Sequence, residues 1–237
     1  MGSTTIDDRG FNQIFNPSMA MDIRTKRRCD YIISKMDLSK ESEILEIGCG
    51  LGDISYYIAK NTNNKVLGTD LCQPFIDDAN KAFALPNLQF DILDFNKPEK
   101  LLGRKFDYII GNGILHHLYN QIDETFISLK NLLKDGGKII FLEPNLVNPY
   151  CFLIFGTTKF FREWAKLEPD EKAFTKSFLR KRLLKTGFKN LDIENKDFLL
   201  PVTPASLIKP SIVIGDIIEK IPGLRLMAQS IFFSAEK

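Results

Sequence analysis

The feature that most constrains the fold is a short apolar run that passes directly into a glycine-rich loop. Residues 44–47 are aliphatic or β-branched apart from one glutamate, which is typical of a buried strand, and Gly48, Gly50 and Gly52 follow at once. Glycine lets the backbone approach a ligand closely, and the N-terminus of a following helix offers unpaired N–H groups. Asp53 is suited to begin that helix. The pattern predicts a strand–loop–helix unit with a ligand site at its loop.

Further apolar runs alternate with segments of helical periodicity along most of the chain. Strands that alternate with helices predict βαβ units, and therefore a parallel, doubly wound sheet. We predict an α/β fold with a doubly wound, mostly parallel seven-stranded sheet and helical cap insertions. Asp135-Gly136-Gly137 is expected to end the helix before the fifth strand. After the first strand, the others are predicted at residues 66–69, 88–93, 106–110, 138–142, 188–193 and 230–235.

Composition and charge disfavour several classes of protein. The chain has 32 Lys and Arg against 30 Asp and Glu, a near balance that disfavours a nucleic-acid partner. Its apolar stretches fall short of the roughly 20 residues of a membrane-spanning helix, and no signal peptide pattern is present. Its four scattered cysteines argue against a zinc site or a disulfide framework. We expect a cytoplasmic protein without a bound metal.

Two common phosphate-binding patterns do not match the glycine loop. In the dinucleotide fingerprint G-x-G-x-x-G the third glycine would fall at Asp53, and no Gly-Lys-Ser/Thr of a P-loop follows. The loop instead has the pattern E-x-G-x-G-x-G beginning at Glu46, and a second acid, Asp70, follows about 20 residues later. An acid at the end of the second strand can accept hydrogen bonds from both hydroxyls of a ribose.

The segment Glu46-Ile47-Gly48-Cys49-Gly50-Leu51-Gly52 resembles the first motif of the class I S-adenosylmethionine-dependent methyltransferases. Asp70 matches the family's ribose-binding acid, and Asp94, with Phe95 beside it, matches the acid that contacts the adenine amino group. Residues 111–117 and 133–138 match the segments around the fourth and fifth strands. The resemblance implies S-adenosylmethionine as cofactor and S-adenosylhomocysteine as product. The cofactor-binding candidates are Glu46, Gly48, Cys49, Gly50, Gly52, Asp70, Leu71, Asp94, Phe95, Gly111 and Asn112.

In methyl transfer, the protein mainly has to orient and desolvate the acceptor and, where needed, deprotonate it. The only two histidines, His116 and His117, follow the fourth strand, where the acceptor should lie. Histidine titrates near neutrality, so either could take a proton from a hydroxyl. Both are catalytic candidates, with His117 preferred and Glu143 as another candidate. The alternative is that the pair caps the loop and has a structural role.

Several subclasses of methyltransferase do not fit the segment after the fourth strand. Residues 111–114 read Gly-Asn-Gly-Ile, whereas adenine- and glutamine-amino methyltransferases have Asn/Asp-Pro-Pro-Tyr/Phe there and metal-dependent catechol-type enzymes have an Asp. The double-Glu hairpin of protein arginine methyltransferases is also missing. We predict methylation of an oxygen or nitrogen of a small or lipid-linked acceptor. The rivals are a non-catalytic S-adenosylmethionine-binding protein, an RNA methyltransferase and a nicotinamide-dependent oxidoreductase.

Two connections are longer than ordinary loops and unusually apolar, at about 145–175 and 199–229. The first contains the run 150–155 with Phe160, Phe161 and Trp164. The second contains a helical stripe expected between two prolines, and its residues are Pro210, Ile214, Ile217, Ile218, Ile221 and Pro222. Two interpretations stay open: a small cap subdomain, or an apolar acceptor tunnel or patch for peripheral membrane contact.

The N-terminal residues 1–40 are predicted to form a helical lid on a methyltransferase domain at 41–237. By analogy with the family, Phe11 and Phe15 would lie in this lid. A helix is expected from Ile23, and its four basic residues favour a solvated face, with anionic lipid headgroups as the alternative partner. These residues are Arg24, Lys26, Arg27 and Arg28. The sequence leaves the oligomeric state open.

Overall fold

A computed structural model describes residues 18–94, 101, 103–156, 159–165, 167 and 170–237. Three residues that carry sequence predictions, Phe11, Phe15 and Phe95, lie outside these ranges. The same holds for the side chain of Trp164 and for residues 1–17 of the predicted lid. The lid therefore remains a prediction.

Among the described elements, strands and helices alternate up to β5 except that β4 follows β3 directly, and three further helices lie between β5 and β6. The helices are α1 (Met19–Ser34), α2 (Asp53–Asn61), α3 (Gln73–Ala82), α4 (Ile122–Leu132), α5 (Pro149–Gly156), α6 (Lys159–Trp164), α7 (Lys176–Lys185) and α8 (Ala205–Ile218). The strands are β1 (Glu43–Ile47), β2 (Lys65–Asp70), β3 (Leu88–Ile92), β4 (Phe106–Asn112), β5 (Leu133–Pro144), β6 (Lys189–Lys196) and β7 (Ser230–Glu236). Two 3-10 helices lie at Leu115–Gln121 and Leu224–Met227.

The predicted seven-stranded, mostly parallel sheet is confirmed. Its order is β3-β2-β1-β4-β5-β7-β6. The first five strands are parallel to one another, whereas β7 pairs antiparallel with both β5 and β6. The strand order reverses between β1 and β4, and in open α/β sheets ligands bind at the carboxyl ends of the strands at such a point. The glycine loop follows β1 at this position.

Two apolar cores cover the two faces of the sheet. On one face, α1 and α2 contribute buried residues such as Ile32 and Ile58. On the other, α4 and α7 contribute Phe126 and Leu183. A small third cluster, formed by Ala20, Leu199 and Ile208, joins α1 to α8. Among the described residues, no helix combines the length and the apolar character needed to cross a membrane.

Two predicted boundaries differ from the structure. Helix α4 ends at Leu132 and β5 begins at the next residue, so Asp135-Gly136-Gly137 lies inside the strand. The pairing with β4 shifts register here, and Gly136 has a φ of +74°, which explains how the glycines fit within a strand. Pro210 lies inside α8 and does not precede it, because the burial of Ile208 against α1 holds the turn before the proline in helical form.

Candidate active site

The glycine loop is closed on two sides and open at its centre. Gly48 and Gly52 have φ values of +66° and +85°, and a Cβ on either would lie 2.7 Å from Ile114 or 2.6 Å from Phe90. Only glycine satisfies both the left-handed backbone and this close packing. A Cβ on Gly50 would meet no atom within 4 Å, so this part of the loop borders open space. The loop therefore offers a backbone surface that a ligand can approach.

Asp70 links the loop to the ends of β2 and β3. Its Oδ2 accepts a hydrogen bond of 2.8 Å from the backbone N–H of Gly50, and its Oδ1 accepts one of 2.9 Å from that of Cys72. Its carbonyl accepts from the N–H of Leu93, the residue before Asp94. Asp70 thus lies beside the loop, and Asp94 follows β3 at the same edge of the sheet, where carboxylates suit ribose hydroxyls, an exocyclic amine and a sulfonium.

Glu46 lies beneath the loop and is only 1% exposed. Its Oε2 accepts a hydrogen bond from the hydroxyl of Ser55 at the start of α2, and its carbonyl accepts one from Thr69. Burial raises the pKa of this carboxyl to about 8, so the neutral form predominates at pH 7. These hydrogen bonds connect Glu46 in β1 with Ser55 in α2 and Thr69 in β2 inside the protein.

Three other predicted cofactor contacts have different surroundings. Leu71 directly follows Asp70 and is half-exposed beside the loop. Cys49 is buried, with its backbone N–H bonded to Thr69, and burial raises the pKa of its thiol. Gly111 faces the core, because a Cβ on it would lie 2.6 Å from Phe141. The structure thus brings the open loop, Asp70 and Leu71 together and leaves Gly111 as a packing position.

The segment after β4 is held in place by one buried carboxylate. Glu143, at the end of β5, accepts hydrogen bonds from the backbone N–H groups of Ile114 (3.0 Å), Leu115 (2.8 Å) and His116 (3.3 Å). Its Oε2 also lies 3.0 Å from Nδ1 of His116. Glu143 therefore fixes both the loop and the orientation of the imidazole ring.

The two histidines have separate carboxylate partners and different exposure. The His116 side chain is 13% exposed and contacts Glu143. The His117 side chain is 33% exposed, and its Nδ1 lies 3.1 Å from Oε1 of the buried Glu171. The ring centroids are 4.2 Å apart. His116 lies closer to the end of β4, since its Cε1 is 3.7 Å from the place where a Cβ of Gly113 would be.

A buried cluster of charges supports Asn112 at the end of β4, and the sequence analysis missed it. Arg28 donates to the side chains of Asn112, Asp197 and Ser230, and Arg24 donates to Asp197 over 2.8 Å. Burial and the neighbouring Arg28 lower the pKa of Arg24 to about 10, against the opposing effect of Asp197. Burial alone would raise the pKa of Asp197, but the two guanidinium groups outweigh it and lower that pKa.

The prediction of a solvated basic face on α1 was therefore wrong for two of its four residues. Arg24 and Arg28 are buried, whereas Lys26 and Arg27 pair with Asp30 and Asp216 in partly exposed ion pairs. The signal that could have found them is their spacing. Residues 24, 28 and 32 are four apart, which puts both arginines on the helix face that the buried Ile32 occupies.

Comparisons with known proteins match the part of the chain that contains the glycine loop. A family model described as "Methyltransferase domain" matches residues 45–139, from β1 into β5. The chain is 27% identical over 172 residues to a squalestatin tetraketide synthase of Phoma sp. (strain C2932), covering 66% of this chain and 6% of that protein. It is 29% identical over 121 residues to phosphoethanolamine N-methyltransferase 3 of Arabidopsis thaliana, covering 50% of this chain and 23% of that one. The chain thus spans less than a quarter of either relative.

The fold is shared with a solved structure of a SAM-dependent methyltransferase from Archaeoglobus fulgidus. The TM-score is 0.66 at 19% sequence identity, and the match covers 96% of this chain and 98% of that one. At this identity the likeness establishes the fold alone.

Proposed function

Because the chain belongs to the class I S-adenosylmethionine-dependent methyltransferases, we propose that it methylates an oxygen or nitrogen of a small, apolar acceptor. The observation that carries this proposal is the contact between His116 and Glu143 at the end of β4. A fixed imidazole–carboxylate pair is suited to take a proton from an acceptor that is weakly nucleophilic until it is deprotonated.

The residues around the glycine loop fit the cofactor. The open space at Gly50 admits a ligand, and Asp70 and Leu71 border it with one carboxylate and one exposed apolar side chain. When bound, S-adenosylmethionine supplies a methyl group on a sulfonium and becomes S-adenosylhomocysteine. We assign the ribose hydroxyls to Asp70, as the sequence predicted, and the adenine amino group to Asp94.

His116 is the proposed general base, in preference to His117. With its Nδ1–H donated to Glu143, Nε2 of His116 keeps the lone pair that accepts the acceptor's proton. Glu143 is held by three backbone N–H groups, so it orients the ring and stabilises the imidazolium that forms. His117 is more exposed, at 33% against 13% for His116, and its carboxylate contact is with Glu171, which lies outside the β4 and β5 ends that Glu143 joins.

A second candidate acceptor is an acidic carbon between two carbonyl groups. The same base would serve it, and the similarity to a tetraketide synthase favours this acceptor. Similarity to a phosphoethanolamine N-methyltransferase instead favours nitrogen. The acceptor atom is therefore the point that the experiment must decide.

The test uses S-adenosylmethionine with a ¹³C-labelled methyl group and three acceptors that carry the same apolar tail. They are a phenol, an aliphatic amine and a β-ketoacyl thioester, and the carbon chemical shift of the product identifies the methylated atom. His116→Asn should lower kcat by about 10²- to 10⁴-fold. His117→Asn is the matched control and should keep the wild-type kcat.

Three outcomes would contradict the proposal. If His117→Asn shows the large loss of kcat and His116→Asn keeps the wild-type kcat, the base is His117. Cofactor binding without turnover on any acceptor or cell extract would favour the non-catalytic rival. Transfer only to RNA, weakened steeply by salt, would favour the RNA methyltransferase.

An apolar acceptor is supported by an extensive exposed surface on the second half of the chain. It runs from α8 through the 3-10 helix at Leu224–Met227 to α5. Asn148, which directly precedes α5, donates a hydrogen bond of 2.6 Å to the carbonyl of Met227 and so connects α5 to this 3-10 helix. We call this the apolar surface. Its largest exposed members are Tyr150, Phe152, Leu207, Val213, Ile214, Ile217, Leu224, Leu226 and Met227.

We propose that the apolar surface makes peripheral contact with an anionic membrane. The exposed Lys209, Lys220 and Arg225 lie among its residues, while Asp216 and Glu219 pair with other basic side chains. Exposed basic and apolar side chains together favour binding to anionic lipid headgroups. The four free, buried cysteines support the cytoplasmic side as the location.

Vesicle co-sedimentation tests this contact. Vesicles that contain phosphatidylserine should bind the chain more strongly than phosphatidylcholine vesicles, and Val213→Asn with Ile217→Asn should weaken binding at least tenfold. Leu184→Asn, which changes an equally exposed aliphatic residue on α7, is the control and should bind as before. Equal binding by both variants would contradict the assignment.

A further inference from the structure

Three side chains of the kinds that bind metal ions meet beside the active site. One ligand atom from each of His116, His117 and Glu171 lies within 4.8 Å of the other two. Nδ1 of His117 and Oε1 of Glu171 are 3.1 Å apart. Two ligands at about 2.1 Å from a tetrahedral zinc ion are roughly 3.4 Å apart, so the cluster needs little adjustment to surround one.

The surroundings of His116 are those of a metal-binding imidazole. A histidine that binds a metal usually donates its other ring N–H to a carboxylate, which fixes the tautomer and the ring orientation. Glu143 occupies this position 3.0 Å from Nδ1, so Nε2 of His116 is the ligand atom. Glu143 is itself held by backbone N–H groups, so the ring is oriented before any ion binds.

Burial makes the carboxylate of Glu171 a favourable third ligand. Its side chain is only 3% exposed, and a buried carboxylate gains from a positive charge close by. Glu171 is also anchored to the histidine segment, since the backbone N–H of the next residue, Lys172, donates to the carbonyl of His116. The two stretches of chain that supply the ligands are thus joined.

We propose that His116, His117 and Glu171 bind one divalent transition-metal ion, for which zinc is the best match. Two imidazole nitrogens and one carboxylate oxygen form a ligand set that zinc favours, and three protein ligands leave a fourth position open. This inference departs from the sequence prediction of no metal. That prediction rested on cysteine spacing, which cannot detect a ligand 54 residues away from the histidines.

The cysteines do not compete for the ion. All four are buried, and burial raises the pKa of the thiols of Cys29, Cys49 and Cys151. Only the thiolate is a good metal ligand, so the raised pKa values disfavour metal binding by these three thiols at neutral pH.

Metal binding has one consequence that rests on the proposed function. An ion on Nε2 of His116 takes the lone pair that the general base needs, so bound zinc should inhibit methyl transfer and a chelator should restore it. The binding itself does not depend on this role and can be measured without cofactor or acceptor.

The experiment titrates the untagged, chelator-treated chain with Co²⁺, followed by visible absorption, and with Zn²⁺, followed by calorimetry. We expect one ion per chain. His117→Ala and Glu171→Gln should each weaken binding at least tenfold. Asp170→Asn is the matched control, because Asp170 is the exposed neighbour of Glu171, and it should bind within twofold of the wild type. Because the chain has only two histidines, Zn²⁺ should shift both sets of imidazole NMR signals.

The proposal fails if binding does not saturate, if both variants bind as tightly as the wild type, or if cobalt gives a sulfur charge-transfer band. The half-exposed His117 makes His117→Ala informative even if Glu171→Gln does not fold. Saturable binding without inhibition would support the metal site and contradict His116 as the base, so the two proposals fail separately.

Discussion

Two buried carboxyl groups, one on each side of the active site, have opposite electrostatic surroundings. On the cofactor side, Glu46 is 1% exposed and has a hydroxyl partner, Ser55. On the acceptor side, Asp197 is 7% exposed and has two guanidinium partners, Arg24 and Arg28. Burial raises the pKa of Glu46 to about 8, whereas the arginines lower that of Asp197.

The difference shows how the partner decides the charge of a buried acid. A hydroxyl cannot offset the loss of hydration of an anion, so Glu46 is more stable when neutral. Two guanidinium groups can offset this loss of hydration, so Asp197 stays ionised. Its negative charge neutralises one of their two positive charges. Stability on the cofactor side should therefore fall as pH rises, and stability on the acceptor side should fall as pH drops.

The largest expected effect is the pH dependence that Glu46 confers. A carboxyl whose folded pKa is raised stabilises the fold fully below its unfolded pKa of about 4.3, and this contribution is lost as pH rises through about 8. At roughly 1.4 kcal/mol per pKa unit the difference is on the order of 5 kcal/mol. Glu46→Gln should remove it, so urea unfolding at pH 5 and pH 9 should differ less for the variant than for the wild type. Equal differences would mean that Glu46 is ionised when buried.

Asp197→Asn should produce the next largest effect. The amide keeps the shape and tolerates the left-handed backbone at this residue, where φ is +77°, but leaves two buried guanidinium groups without their anion. We expect a loss of about 3 kcal/mol at pH 7, measured by urea unfolding, which shrinks as pH falls through the lowered pKa of the wild-type Asp197. Asp216→Asn removes the partly exposed pair with Arg27 and should cost under about 1 kcal/mol. Similar losses from the two variants would contradict this account.

Gly48→Ala tests the packing of the cofactor side without changing any charge. The new Cβ meets Ile114 at 2.7 Å and also requires a left-handed backbone, so we expect a loss of about 2 kcal/mol and weaker binding of S-adenosylmethionine. Gly136→Ala has a similar φ and open space around it, so it isolates the backbone cost of about 1 kcal/mol. Calorimetry with the cofactor should separate the two variants, and unchanged affinity in Gly48→Ala would argue against a loop that contacts it.

The smallest effect on stability should come from the apolar surface. Val213→Asn and Ile217→Asn change side chains that are more than half exposed, so each should alter the free energy of unfolding by under about 0.5 kcal/mol. A larger loss, measured by thermal unfolding, would indicate that these residues pack against the protein and not against a membrane.

The cofactor side was largely predictable from the sequence, and the acceptor side was not. The strand before Gly48, the loop and Asp70 lie within 28 residues and follow local rules of strand, turn and helix formation. The partner of Arg28, Asp197, is 169 residues away, and Glu171 lies 54 residues from His117. No local pattern can detect such pairs, because they exist only once the sheet has brought distant segments together. Pro210 within α8 is a similar case, in which tertiary packing overrides a local preference.

The order of the last two strands has a consequence for how the chain folds during synthesis. β6 is made before β7 but lies outside it, so β6 can join the sheet only after β7 has left the ribosome. Pro144 of β5 pairs with Ser230 across 86 residues, and closing so long a segment is slow. Until β7 has paired, Gln229 and Ser230 are not in place to accept hydrogen bonds from Arg24 and Arg28, the two arginines that bind Asp197. The cofactor side can thus form early, while the acceptor side must wait for the final strand.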